Sequence, residues 1–168
     1  MEILPIAPTE AACLVPLLKD LHALHVAHHP ERYAAEPAEA DLTAWLTDWL
    51  ASDKIEALVA RSPLGVTMGY LIWEREERAA LPTRAAETRA MLHHIAVDAP
   101  FQRIGVGKAL MSAMKARALA AGVDVLGATY APFNAASAAL MHSLGLRPVL
   151  TYAEWRAPSD AAQDATAV

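Results

Sequence analysis

The feature that most restricts how this chain can fold is a mostly apolar strand that runs through a glycine-containing turn into a helix. Residues 91–97 predict a central strand. Gly105 and Gly107 follow it, and a helical run then continues to about Ala121, where Gly122 ends it. The first amides of a helix have no internal partner and carry the positive end of its dipole. The turn therefore suits an anion such as a pyrophosphate.

The same residues exclude two well-known phosphate loops. A P-loop requires Ser or Thr after its Gly-Lys pair, but Ala109 follows Lys108. The dinucleotide fingerprint requires a third glycine, and Leu110 occupies that place. Residue chemistry alone leaves two interpretations equally open: an anion site, or glycines that only permit tight packing of the helix on the strand.

The order of elements predicts a mixed sheet covered by helices. Strands are expected at 2–6, 55–60, 66–73, 91–97 and 124–130, with one or two more within Leu146–Trp155. Helices are expected after Thr9, from Asp41 to Leu50, after Gly105 and from Asn134 to Leu144, and Pro16 predicts that the first is kinked or starts late. This order matches neither a strictly alternating parallel sheet nor an all-β meander, and indicates the mixed α/β (α+β) class.

Composition narrows the class of protein further. The chain has 168 residues, 55% of them hydrophobic, and a net charge of −5. An acidic chain without a basic block is a poor nucleic-acid binder, and its apolar runs are too short to span a membrane. The N-terminal residues lack the features of a signal peptide, and the single Cys13 excludes an internal disulfide. We expect a cytoplasmic protein with one domain over residues 1–156 and a disordered tail at 157–168.

The spacing Gln102-x-x-Gly105-x-Gly107 resembles the acetyl-CoA motif Q/R-x-x-G-x-G/A of the GNAT superfamily of N-acetyltransferases. The segment from Asn134 to Leu146 resembles the second cofactor motif of that family. The resemblance implies a mostly antiparallel sheet of six to seven strands with about four helices. It implies direct transfer of an acetyl group from acetyl-CoA to an amine acceptor, and a dimer edge formed by the last strands.

The resemblance also implies where the cofactor lies. The pantetheine arm would pair with the main chain of Ile95, Ala96 and Val97. The turn would hold the pyrophosphate through Gln102, Arg103, Ile104, Gly105, Val106, Gly107 and Lys108, mainly by their amides. Asn134 would reach toward the cofactor arm, although Asn at a helix start is also a common N-cap.

The catalytic positions depart from the family pattern. Met141 stands where the family often has a general-acid Tyr, and Met91 stands where some members have a catalytic Glu. His93, two residues from Met91 and hence expected on the same strand face, is the candidate base. His94 is expected to point to the opposite face and to be packed. Tyr130 is the candidate proton donor, with Tyr152 as a second choice, and burial is the alternative role for both tyrosines.

A histidine-rich segment follows the first helix. His22, His25, His28 and His29 suggest a metal, but no Cys, and no acidic residue between Asp20 and Glu31, completes a ligand set, so we expect no metal. The resemblance makes this region the acceptor pocket, with His25, His29 and Tyr33 as its residues and Trp45 and Trp49 as an aromatic wall. A solvated helix end and two core tryptophans are the alternatives.

Three functions stay open at this point. The first is an acetyl-CoA-dependent N-acetyltransferase. The second is a non-catalytic acyl-CoA-binding module or sensor, which the missing Tyr and Glu favour. The third is a metal-binding stress protein built on the histidines.

Overall fold

The fold is built on a five-stranded sheet within residues 1–157, the part of the chain that this computed structural model describes. The strands are β1 (Glu2–Pro5), β2 (Ile55–Arg61), β3 (Thr67–Arg78), β4 (Glu87–Val97) and β5 (Val125–Ala128), and they lie in that order across the sheet. The first four are antiparallel neighbours, and β5 runs parallel to β4. The predicted mixed fold class is confirmed.

Helices cover both faces of the sheet. They are α1 (Val15–His28), α2 (Glu39–Leu50), α3 (Val106–Ala120) and α4 (Ala135–Ser143), with short 3₁₀ helices at Pro8–Leu14 and Ala99–Phe101. On one face, Leu18 and Leu46 of α1 and α2 pack in the same buried cluster as Tyr70 of β3. On the other face, Met114 of α3 and Met141 of α4 share a cluster with Trp73. The two clusters are called here the α1–α2 side and the α3–α4 side.

The first helix begins late, as the position of Pro16 predicts. A 3₁₀ helix occupies Pro8–Leu14, and α1 starts at Val15, so that Pro16 lies in its first turn. A proline there costs little, because the N–H it lacks would have no partner in the helix.

A β-bulge divides β4 into two halves. Trp73 of β3 pairs with Leu92 and Ile72 pairs with His94, so His93 is the extra residue. One extra residue shifts the alternation of side chains between the faces. Leu92 before the bulge and Ile95 after it therefore both pack on the α3–α4 side, although they are three residues apart.

The strands differ from those predicted in number and in length. No strand forms within the described part of Leu146–Trp155, so the sheet has five strands there instead of six to seven. Leu150 and Trp155 are 91% and 82% exposed, and apolar residues alone do not make a strand without a neighbour to pair with. In contrast, β3 continues past the predicted end at Trp73 to Arg78, and β4 begins at Glu87 instead of Met91, because residues 74–78 pair with residues 87–91.

Two further expectations concern the ends of the chain and the membrane. The expected disordered tail falls, apart from Ala157, outside the described residues. Within 1–157, no helix combines the length and the apolar character needed to cross a bilayer.

Candidate active site

The turn after β4 opens α3 with a left-handed residue. Gly105 is the N-cap and has φ +96°, and Arg103, two residues earlier, also has a positive φ, +66°. The amide of Ala109 donates to the Gly105 carbonyl at 2.9 Å and so makes the first bond of the helix. The amides of residues 106–108 precede that bond, and they are the unpaired donors of a helix start. Their direction and the helix dipole favour a negative group at this end of α3.

The two glycines of the turn serve different purposes. A Cβ on Gly105 would meet nothing within 4 Å, so the space beside the helix start is open. A Cβ on Gly107 would lie 3.3 Å from Cδ2 of Leu140 and 3.7 Å from Cγ2 of Val97. Gly107 therefore permits close packing of α3 against α4 and β4, whereas Gly105 supplies the backbone conformation and the free space.

The side chains of the turn differ in direction and in exposure. Gln102 turns back toward β4, where its Nε2 donates to the Val97 carbonyl at 3.0 Å. Val106 is buried, which leaves it only main-chain atoms to offer a ligand. The side chains of Arg103, Ile104 and Lys108 are exposed. Gln102 thus ties the turn to the end of the strand, a role that the sequence analysis did not identify.

An open edge runs along β4 from the bulge to this turn. The ladder between β4 and β5 ends at the pair Leu92–Ala128. Residues 95–97 still pair with β3 on their other side, but no described strand pairs with them on the β5 side. From His93 to Val97 this edge spans about 13 Å, four steps of a strand's usual rise. The predicted arm-binding residues Ile95, Ala96 and Val97 lie along it, between the start of α3 and His93.

His93 lies at the head of the open edge and contacts a carboxylate. Its Nε2 is 3.1 Å from Oε2 of Glu74, and the two side chains are 35% and 32% exposed. The Trp49 ring of α2 meets the imidazole at 5.6 Å in an edge-on contact, so His93 lies on the α1–α2 side. Glu74 pairs in register with Met91. A carboxylate is therefore present one strand away from the position where the family places a glutamate.

Glu74 is a site residue that sequence reasoning missed. The predicted strand ends at Trp73, and residues 74–78 are all charged, so no alternation of apolar and polar residues marks them as a strand. Their place in β3 follows from pairing with residues 87–91, which the sequence does not reveal.

The expected direction of His94 is wrong. Its ring lies 5.1 Å from Trp49 and 5.8 Å from Trp45, which places it on the α1–α2 side with His93. The bulge causes this, because the extra residue cancels one step of the alternation. The expectation that His94 is packed agrees with the structure: burial lowers its pKa to about 4, and the imidazole is neutral at pH 7.

Two of the predicted acceptor residues, His25 and His29, contact an aromatic ring that the sequence analysis did not single out, and the third, Tyr33, contacts His25. His25 lies 5.3 Å from Tyr33 and 5.5 Å from Phe133, and His29 lies 5.6 Å from Phe133. Partial burial, followed by the charge of neighbouring histidines, lowers the pKa of His25. Within residues 1–157, no three His, Cys, Asp or Glu side chains are arranged to share a metal ion.

The remaining candidates lie near α4. The Oδ1 of Asn134 accepts from the Ser137 amide at 3.0 Å, so Asn134 caps α4 and its side-chain amide group can still donate. Tyr130 packs against the α3–α4 side, on the face opposite to His93. Met141 is 2% exposed in the same cluster, and Tyr152 is 79% exposed.

Solved structures with this fold include several acetyltransferases. A protein from Bacillus halodurans, crystallised as a tetramutant, superposes with a TM-score of 0.82 at 19% identity, covering 94% of this chain and all of the other. Aminoglycoside N-acetyltransferase AAC(6')-Iy in complex with CoA superposes with a TM-score of 0.68 at 18% identity, and the match covers 94% of this chain and all of the other. A ribosomal-protein-alanine N-acetyltransferase from Brucella melitensis biovar Abortus superposes with a TM-score of 0.70 at 18% identity, and the match covers 93% of this chain and 99% of the other. At these identities the likeness establishes the fold alone.

Sequence comparison adds the family. Among curated proteins none matches this sequence. The model of the acetyltransferase (GNAT) family matches residues 18–146, which include α3, the open edge of β4 and the His93–Glu74 pair. The chain therefore belongs to the GNAT acetyltransferase family.

Proposed function

We propose that this protein is an acetyl-CoA-dependent N-acetyltransferase that transfers the acetyl group to a primary amine by direct attack. The observation that carries the proposal is the continuity of three features. The free amides at the start of α3, the open edge of β4 and the His93–Glu74 pair follow one another along a single strand and its turn. An elongated donor with an anionic end and a reactive end fits such a path.

The donor is acetyl-CoA in this proposal. Its pyrophosphate takes the amides from Arg103 to Lys108, and the exposed Lys108 side chain adds positive charge. The pantetheine arm pairs with the main chain along 95–97, and the side-chain amide of Asn134 donates to it. The thioester then lies at the His93 end of the edge. The CoA complex of AAC(6')-Iy, which has the same fold, supports this choice of donor.

The reaction removes two protons from the acceptor nitrogen and gives one to the leaving sulfur. His93 removes the first proton from the acceptor ammonium, and the neutral nitrogen attacks the thioester carbonyl carbon and forms the C–N bond. The tetrahedral adduct loses the second nitrogen proton to water and collapses by breaking its C–S bond. Tyr130 is our proposed donor of a proton to the leaving thiolate. Met91 and Met141 can take neither role, because a thioether has no proton to give and is only a weak acceptor.

The acceptor approaches from the α1–α2 side. His25 and His29 beside Phe133, with Tyr33 against His25, form its pocket. The half-exposed Trp45 stacks on Trp49, which lies beside His93. Relatives of this fold act on aminoglycosides and on ribosomal-protein alanine, as their names state. Both names point to an amine as acceptor, which is the class proposed here.

A second candidate function is a non-catalytic acyl-CoA-binding module. The burial of Met141 favours it, because the position that often carries the general acid is here part of the core. In that case the amides of the turn would bind the cofactor and no amine would be acetylated.

An assay for the release of free thiol from acetyl-CoA distinguishes the enzyme from the non-catalytic module. The assay is run with polyamines, aminoglycosides, amino acids and peptides with a free N-terminus, next to calorimetric titration with CoA. Turnover with any amine supports the enzyme, and a His93→Ala variant should then lose kcat while its affinity for CoA is unchanged. Binding without turnover across the panel supports the module, and a failure to bind CoA contradicts both.

Two further parts of the proposal concern assembly and location. The exposed Leu150 and Trp155 in the last described segment support association of two copies, which light scattering tests as a doubled mass. The free Cys13 is compatible with a reducing compartment, and we propose that the protein acts in the cytoplasm.

A further inference from the structure

We propose that Glu74 is a positioning residue that holds the His93 imidazole with its proton on Nε2, so that Nδ1 is the atom that takes the acceptor's proton. This inference rests on the proposed function, because it assigns a role within the same reaction. It concerns a residue that lies on a different strand from His93 and outside the two cofactor motifs.

The contact depends on the bulge in β4. His93 is the extra residue opposite the Ile72–Trp73 step of β3, and Glu74 is the next residue along β3. With regular pairing, neighbouring residues on β3 alternate in direction, and Glu74 shares the α1–α2 side with Ile72. The bulge brings the imidazole onto that side as well, where its Nε2 comes within 3.1 Å of the carboxylate.

The carboxylate determines which nitrogen carries the proton. An ionised carboxylate only accepts hydrogen bonds, so the nitrogen that faces it must be the protonated one. In a neutral imidazole the other nitrogen is then an acceptor, with its lone pair free. A carboxylate that orients a histidine in this way also stabilises the imidazolium that forms when the histidine takes a proton.

The surroundings restrict both partners. Trp49 packs edge-on against His93, and the side chains of His93 and Glu74 are each about two-thirds covered. Of the groups in contact with His93, Glu74 on β3 is charged, Trp49 on α2 is not, and the adjacent His94 is neutral because it is buried. Glu74 is thus the charged residue among these contacts of the His93 imidazole.

The chain contains a matched control for Glu74. Glu76 lies two residues further along β3 and pairs in register with Arg89, but its carboxylate bonds to the guanidinium of Arg78 at 2.8 Å. Glu74→Gln and Glu76→Gln therefore remove the same charge from the same strand, and only the first change removes it from His93. Glu74→Asp keeps the charge on a shorter side chain.

The test uses nitrogen-15 NMR of the His93 ring in the free protein and the pH dependence of kcat/KM. We expect the Nε2–H tautomer in the wild type and a mixture of tautomers in Glu74→Gln. We expect kcat/KM at pH 7 to fall by about 10- to 100-fold in Glu74→Gln, less in Glu74→Asp, and not at all in Glu76→Gln.

The outcomes separate this inference from the proposed function. An unchanged tautomer of His93 in Glu74→Gln would overturn the role of Glu74 while wild-type turnover still supports the enzyme. Loss of turnover in Glu74→Gln, with His93→Ala fully active, would also overturn it, because Glu74 would then be the base itself. Lack of turnover in the wild type with every amine would overturn the proposed function.

Discussion

His28 stacks face to face on Phe133, with 3.8 Å between the ring centroids and 7° between the ring planes. This contact joins the last turn of α1 to the loop that leads into α4. Because Asn134 directly follows Phe133, the stack also fixes the residue that is proposed to donate to the cofactor arm. The proposed acceptor pocket and the proposed cofactor site therefore meet at one aromatic ring.

Removing the Phe133 ring should weaken the binding of both substrates. In Phe133→Ala the loop loses its contacts with His25, His28 and His29, and we expect the KM values for acetyl-CoA and for the amine to rise several-fold each. Phe133→Tyr keeps the ring and should behave as the wild type. Steady-state kinetics with both substrates varied checks this, and a rise in the KM of the amine alone would show that the loop does not link the sites.

The start of α3 can be tested with two substitutions of nearly equal shape. Asp and Asn both tolerate the left-handed conformation of residue 105 and both cap helices, so Gly105→Asp and Gly105→Asn should both fold. Only the aspartate places a negative charge where the pyrophosphate is proposed to bind. We expect the Kd for CoA to rise at least about 10-fold more in Gly105→Asp than in Gly105→Asn, measured by calorimetry at low salt. Equal affinities would place the pyrophosphate elsewhere.

Burial of His94 should make the fold sensitive to acid. The folded state holds the pKa of His94 at about 4, against 6.5 for an exposed histidine, so the unfolded state binds more protons between these two pH values. The free energy of unfolding should therefore fall as the pH drops from 6.5 to 4, by about 3 kcal/mol from this residue. Urea unfolding at a series of pH values measures the decline.

Two variants show how much of that decline in the free energy of unfolding comes from His94. His94→Phe should make the dependence on pH shallower, although a part will persist because the pKa of His25 is also lowered. His142→Ala removes an exposed histidine of α4 and should leave the wild-type slope. The same slope in His94→Phe as in the wild type would assign the acid sensitivity to other groups.

Restoring the family's tyrosine at position 141 should not restore an acid. Met141 is 2% exposed, and a larger side chain with a hydroxyl must either overpack the α3–α4 side or move out of it. We expect Met141→Tyr to lower the free energy of unfolding by about 1–3 kcal/mol, and Met141→Leu by less than about 1.5 kcal/mol. Urea unfolding with a parallel thiol-release assay checks this, and a tyrosine variant of wild-type stability and higher kcat would contradict it.

The parts of the fold that sequence predicted correctly depend on local chemistry. Pro16 marks the late start of α1, Gly122 follows the end of α3 with a positive φ, and Asn134 caps α4. Each of these signals is contained within a few residues, and so it can be recognised without knowing what lies beside it.

The parts that sequence did not predict depend on pairing between distant residues. The bulge at His93 is defined by how β4 meets β3, and nothing within β4 alone marks it. The ring of Phe133 contacts histidines that lie about a hundred residues earlier in the chain. Leu150 and its neighbours are apolar enough for a strand, but strand formation also needs a free edge at the right place. These features follow from tertiary arrangement, which a periodic pattern does not encode.

The bulge in β4 serves the proposed site and adds nothing to the core. Deleting His93 would leave Leu92 followed by His94, and residues 94–97 would keep both their faces and their partners on β3. The strand would then alternate regularly, but it would lack the imidazole that contacts Glu74. Loss of this one residue would therefore remove the candidate base while leaving the sheet intact.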